Sequence, residues 1–480
     1  MGHEIAGERF GSADFHRFSG CLRQETELLQ QWYRTGMLAE RPLRMGYELE
    51  AWLVDAAGRP APENGPFLER LSHPHVVPEL ARYNVELNGH PHRLVDDAFR
   101  CTHRELGSLW RRCETAAGEL GLRPLMIGIP PTVRVEDLGI DAMSPLPRYR
   151  ALNAEVLALR NRRPLHVEIS GSREAISQDR RDVMLEAAAT SLQLHLQLPP
   201  SRAGRYFNAA MLLSAATVAL AANSPFLFGR ALWQETRIPL FEQAVAVDPV
   251  DGAHGVGAPG RVTFGTGFVH GDALLQLFVE NQEQYPVLLP QCSDTPPERL
   301  AHLSLHNGTI WRWNRPLVGF DGDGRCHLRL EHRVMAAGPT VVDVVANAVF
   351  FYGALQACVD RDRPLEKEIP FAAAAGNFYA AARYGLDAEL RWLNGARVVL
   401  RELLLQSLIP KADAALQRLG LAPEAFRPYL EIVRARVASG RTGAAWQLGW
   451  AERHGRDLAG LVSAYLGHQA GGRPVHEWPP

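Results

Sequence analysis

Residues 43–54 read LRMGYELEAWLV. Successive side chains of a β-strand point to opposite sides of its sheet. In this stretch Arg44, Glu48 and Glu50 share one face, while Leu43, Met45, Tyr47, Leu49 and Leu53 share the other. Four more stretches repeat the alternation. In YNVELN, Asn84, Glu86 and Asn88 oppose Val85 and Leu87; in LHVEIS, His166, Glu168 and Ser170 oppose Leu165, Val167 and Ile169. In SLQLHLQL, Gln193, His195 and Gln197 oppose the leucines, and in CHLRLEHR, His327, Arg329, Glu331 and Arg333 oppose Leu328 and Leu330. An antiparallel sheet with one face in water would give the same pattern, and for any single strand that explanation suffices. Taken together the polar positions are carboxylate, imidazole, guanidinium and amide rather than the mixed Lys, Thr and Ser of a solvated face. If they line one surface, Glu48, Glu50, Glu86 and Glu331 repel one another unless cations lie between them. A donor set rich in oxygen with one histidine suits Mg²⁺ or Mn²⁺ better than zinc.

The rest of the chain is consistent with an α+β fold. Between Arg44 and about Arg333, short alternating segments are interspersed with helical patterns such as 103–120 and 202–222; Gly and Pro cluster in loops at 248–267 and 321–325. Beyond Pro339 the reading is helical, through VVDVVANAVFFYGALQACV, LDAELRWLNGARVVLRELLLQSL and AWQLGWAERHGRDLAGLVSAYL. The expected organisation is a helical segment at 1–40, a catalytic sheet domain at 41–340 and a helical region at 341–480 packed on it.

At 480 residues and a net charge of -2, the chain has no general basic surface, so neither nucleic acid nor anionic lipid is an expected partner. The most apolar run, 209–222, is shorter than a bilayer span and reads as a buried helix. Six dispersed cysteines without C-x-x-C spacing argue against a zinc knuckle or a disulfide framework. The first residues, MGHEIAGERFGSADF, hold no apolar run of signal type, and a cytoplasmic location is expected. Of 51 basic residues only Lys367 and Lys411 are lysines, and neither sits in a P-loop, kinase-strand or Schiff-base setting. If this chain handles nucleotide phosphate, metals and arginines must do it.

At the same residues the sequence resembles the family 2 glutamate-cysteine ligases and their carboxylate-amine ligase relatives, of the glutamine synthetase-like superfamily. GYELEAWLVD looks like the family's G-x-E-x-E strand, VELNGHP its E-L-x-T-x-P strand, SLQLHLQL its H-x-H strand and LRLEHR its R-x-E-x-R strand. ALAANSPFLFGRALWQETR and NFYAAARYGLDAEL agree as well, so six motifs run in family order from about residue 44 to 390. The resemblance implies an antiparallel sheet curved into a funnel, with nucleotide at one end, amino-acid substrates at the other and divalent ions between.

Carried over, it places Glu48, His195 and Glu331 on one Mg²⁺ (or Mn²⁺) ion near the phosphates of ATP, and Glu50 with Glu86 on another near the substrate carboxylate. Arg333 and Arg329 would face transferred phosphate, and Arg237 would hold phosphate or a carboxylate. Arg237 also reads as a helix-surface ion pair, and Glu168 as a supporting group behind the ligands. Two positions depart from the pattern: Gln197 stands for the second histidine, and Gly89 for the threonine. The implied activity joins a carboxylate to an amine through an acyl phosphate, as a glutamate-cysteine ligase does, with glutamate, an amine or amino acid and ATP as small-molecule partners. A phosphotransferase on the same sheet and a non-catalytic binding relative stay open, as do the general base and assembly into a homo-oligomer.

Overall fold

The computed structural model describes residues 4–247, 260–270 and 273–479. Strand β1 (Arg44–Val54) is the centre of an eight-stranded sheet. Its other members are β2 (Val76–Pro78), β3 (Asn84–Asn88), β4 (His92–Arg93), β5 (Arg123–Leu125), β8 (Ser191–Leu198), β9 (Asn314–Phe320) and β10 (Cys326–Ala336). The order is β9-β10-β8-β1-β3-β2, with β4 and β5 pairing the two ends of β1, and every pairing in it is antiparallel. The sheet is curled and half open, with helices around it, in keeping with the funnel that the resemblance implies.

Burial follows the alternation. Met45, Tyr47 and Leu49 are buried, whereas Glu48 and Glu50 keep partial access on the opposite face. Beneath the apolar face lie α5 (Ala203–Leu220) and α7 (Val341–Val359), and the two pack on each other. Helix α5 lies along β10. From α7, Phe351 stacks on His332 with 4.1 Å between ring centroids, and the Tyr352 hydroxyl lies 3.0 Å from the Gly46 carbonyl and 2.8 Å from that of His195. Helix α7 has the length and composition of a membrane span, but 83% of its most apolar window is buried inside the fold. The helices α1 (Ser12–Arg34), α2 (Asn64–Leu71), α3 (Ala98–Gly118), α4 (Pro147–Leu159) and α6 (Arg237–Ala244) surround the sheet.

Two expectations change. The strand LHVEIS does form, as β6 (Leu165–Ser170), but it pairs only with β7 (Ala175–Arg180) in a separate hairpin. His166, Glu168 and Ser170 are exposed there, and His166 pairs with Asp179 at 2.8 Å, so Glu168 supports no ligand and the solvated-face reading holds for this strand. The stretch 386–408 is not one helix. Glu389–Arg391 and Arg397–Val399 form a hairpin, since Asn394 and Gly395 take φ of 56° and 76°, the left-handed backbone that an Asn-Gly pair tolerates. Most of the Gly- and Pro-rich stretch at 248–267 lies outside the described residues. All six cysteines are free.

Candidate active site

Strand register assembles the site. Across β9, β10, β8 and β1 one row runs Arg315, Glu331, His195, Gly46; beside it β3 and β1 set Glu86 against Glu50, and Asn88 against Glu48. Glu48, His195 and Glu331 converge, with His195 Nε2 3.3 Å from a Glu48 oxygen and 3.8 Å from a Glu331 oxygen. One ligand atom from each lies within 4.8 Å of the others. No well-aligned hydrogen bond reaches either buried ring nitrogen of His195, and Nε2 faces the two carboxylates instead. When that imidazole is neutral, the two carboxylates it faces need positive charge between them. A divalent cation coordinated by Glu48, His195 and Glu331 meets that need, and the donor set fits Mg²⁺ or Mn²⁺.

The electrostatics divide the acids into two groups. Burial opposes ionisation of Glu331, but Arg315, Arg333 and His195 outweigh it and hold the carboxyl at about 2. Glu48 is likewise held well below the usual carboxylate range, against burial, mainly by His195. Glu50 behaves oppositely: burial and then Glu79 push it up to about 7, although Ser191 N–H and Gln193 Nε2 donate to its oxygens at 2.6 and 2.8 Å. Burial, Glu48 and Glu79 raise Glu86 well above its usual value. Glu50 and Glu86 face each other across the β1–β3 pairing, and Arg333 and Arg237 only partly offset the burial of Glu50, which is a setting that a second cation relieves.

Two cavities open on this face. The wider, about 1460 Å³, is bordered by Arg41, Arg44, Arg299, His327 and Arg329. The smaller, about 260 Å³, is walled by Glu50, Glu86, Arg148, Glu186, Arg315 and Arg333. Glu48, Ser304, Val318 and Arg329 border both, so the cavities meet at the Glu48–Arg329 level.

The arginines are placed by different means. Arg333 donates to Gln193 and to Glu331 (3.2 Å). A β-bulge between His332 and Met335 shifts the register around it, a device that re-aims side chains next to sites. The bulge frees the carbonyls of Arg333 and Val334, which accept from Arg237 Nη1 (3.5 Å) and Nη2 (2.5 Å). Arg237 is 1% exposed, so it is no surface ion pair. It borders the small cavity, but its guanidinium is engaged by the bulge and by Glu235 at 3.4 Å. Of the departures, Gln197 donates to Asp321 at 3.3 Å in the wide cavity. At Gly89 an added Cβ would lie 2.1 Å from the Tyr47 ring, so the missing threonine makes room for that ring.

Residues that alternation did not single out complete the walls. Arg315 grips Glu331 with two hydrogen bonds, at 2.6 and 2.9 Å. Glu79 and Glu186 come from a loop and a 3₁₀ turn, where no period marks them. Burial and then Glu79 push Glu186 up to about 8. Arg148 reaches in from α4. Arg383 and Tyr384 border neither cavity; Lys367 and Lys411 are exposed.

Comparison with known proteins agrees with this geometry. The family described as glutamate-cysteine ligase family 2 matches residues 44–462. No curated protein matches the chain. Among solved structures, the glutamate-cysteine ligase of Francisella tularensis in complex with AMP is similar in fold, with a TM-score of 0.53 and 14% identity over 92% of this chain and 91% of that one. A bifunctional glutathione synthetase of Pasteurella multocida gives a TM-score of 0.48 and 12% identity over 93% of this chain and 55% of that one. With the family match spanning both the acid-bearing strands and the helices beneath them, the chain belongs to glutamate-cysteine ligase family 2 and, with it, to the carboxylate-amine ligases.

Proposed function

We propose that this chain is an ATP-dependent ligase that couples the side-chain carboxylate of a glutamate-like amino acid to an amine through an acyl phosphate. The observation that carries the reading is the junction of a wide, arginine-bordered cavity with a small, acid-walled one at Glu48 and Arg329. A nucleotide's phosphates fit the first, and an amino acid fits the volume and mixed charge of the second. Phosphoryl transfer then takes place where the two meet.

Glu48, His195 and Glu331 would hold one Mg²⁺ (or Mn²⁺) ion and Glu50 with Glu86 a second. Such ions supply neutralisation of phosphoryl charge. The substrate carboxylate oxygen attacks the γ-phosphorus, the bond to the β-γ bridging oxygen breaks and ADP leaves. The amine nitrogen next attacks the acyl carbon, loses a proton and expels inorganic phosphate as the amide forms. Arg333 and Arg329 face the transferred group, and their fixed guanidinium geometry suits the equatorial oxygens. Arg237 acts one step back, holding the bulge that aims Arg333.

The assay is purified protein with ATP, Mg²⁺ and a panel of amino-acid and amine pairs, following ADP, phosphate and product mass. ADP and phosphate in equal amounts with an amide of the summed mass are expected. A phosphorylated product without free phosphate would replace the reading with phosphotransfer, and no ADP with any pair would reduce the chain to a binding protein.

A further inference from the structure

Among the described residues one other group besides the Glu48 cluster places three metal-ligating side chains together: His75, His90 and Glu105. They come from three separate segments, namely the turn between α2 and β2, the residues after β3, and the middle of α3. His75 and its neighbour Asn88 border the wide cavity, so the group stands on that cavity's rim. One ligand atom from each of the three lies within 4.8 Å of the other two.

The hydrogen bonds around them fix how the rings present themselves. His75 Nδ1 lies 2.9 Å from the Asn88 carbonyl, which can only accept. The proton is therefore on Nδ1, and the lone pair on Nε2 is turned away from the main chain. The His90 ring packs at 4.1 Å from that of His75, tilted by 38°. Glu105 accepts from the His90 backbone N–H at 2.8 Å and lies 2.7 Å from His90 Nδ1, while His92 Nε2 holds its other oxygen at 2.9 Å. An imidazole oriented by a backbone carbonyl, and a carboxylate oriented by a further side chain, are how proteins pre-aim metal ligands. The His90 side chain is 64% exposed, which leaves the group open to solvent.

We propose that His75, His90 and Glu105 form a separate metal site, taking one borderline divalent ion of the zinc class with a water in the fourth position and His92 positioning Glu105. Two imidazoles and one carboxylate favour such an ion over Mg²⁺, the reverse of the oxygen-rich Glu48 cluster. Bound there, the ion would tie the α2–β2 turn, the end of β3 and α3 to one another at the rim.

The test uses the full chain, stripped with chelator and titrated with Co²⁺ and with Zn²⁺ in excess Mg²⁺. One equivalent of Co²⁺ with the visible absorption of a four-coordinate nitrogen-bearing site is expected, displaced by Zn²⁺. His90→Ala and Glu105→Gln should each weaken Zn²⁺ binding by about 10-fold or more, in calorimetry on samples whose far-ultraviolet circular dichroism matches the parent. His195→Ala should leave that binding in place. No cobalt absorption, or absorption that survives His90→Ala and disappears in His195→Ala, would overturn the proposal.

Discussion

Arg315 and Glu331 face each other across the β9–β10 pairing, joined by two charge-assisted hydrogen bonds, with Glu331 1% and Arg315 9% exposed. A buried carboxylate gripped in this way stays ionised in the folded protein and presents a fixed negative edge to its neighbours. Removing the arginine leaves an acid with less compensation in a low-dielectric setting. Arg315→Met should lower unfolding free energy by about 3–5 kcal/mol in denaturant titration. An unfolding midpoint equal to that of the parent would show the pair to be unimportant.

The two acids nearest His195 should respond differently to the same change. Glu48→Gln removes the carboxylate that His195 faces at 3.3 Å but leaves the Arg315–Glu331–Arg333 pairs in place, so turnover with ATP and Mg²⁺ should be lost at a smaller cost in stability than in Glu331→Gln. Glu331→Gln should lose turnover and stability together, because Arg315 and Arg333 both depend on that carboxylate. Parent-like rates in Glu48→Gln would refute its part in the site.

Stability of the metal-free chain should fall as pH rises above neutrality. Glu50 and Glu186 are pushed up to about 7 and about 8, so between the ordinary carboxylate range and those values the folded state holds more protons than the unfolded one. Unfolding free energy then decreases with pH. Their contribution is fully present below about pH 4 and is lost as pH climbs through about 7 and 8. Thermal unfolding from about pH 7 to about pH 9, above the range where the buried His306 and His332 act in the opposite sense, should therefore show a falling midpoint, and saturating Mg²⁺ should flatten the fall because a cation between the acids competes with the proton. A midpoint that rises over that range in the absence of metal would contradict the assignment.

Restoring the family's threonine should harm this chain. Gly89→Thr places a Cβ inside the Tyr47 ring position and should cost about 1–3 kcal/mol through overpacking. Adding Tyr47→Ala should recover part of that cost, a positive coupling in a double-mutant cycle. Strictly additive losses would show that the glycine and the ring are unrelated.

How far the sequence revealed all this depends on what alternation can see. It identified the acids of β1, β3 and β10 and His195 because polar and apolar side chains alternate along those strands, although β3 and β8 are buried on both faces. The hairpin β6–β7 carries the same alternation with water on its polar side, and only pairing distinguishes it. Arg315 escaped because it precedes Pro316 at the start of β9 and gains meaning only opposite Glu331. Glu79 and Glu186 reach the small cavity from non-periodic segments. The bulge that re-aims Arg333, and the use of Arg237 to satisfy it, has no linear signature. The Asn394-Gly395 turn, by contrast, was written in the sequence and outweighed by the helical spacing around it.

The hydroxyl of Tyr352 lies within hydrogen-bond reach of two carbonyls, those of Gly46 and His195, that sit at matching positions on adjacent strands. Its helix begins at Val341, ten residues after Glu331, the last of the metal-ligand candidates. A fragment ended before that helix would retain every acid and histidine of the site, yet leave Phe351's stacking partner His332 and the underside of β1 and β8 facing water. Such a fragment should aggregate on expression. Engineering this chain means keeping the helix that contributes no ligand, since it clamps the strand spacing on which the ligands depend.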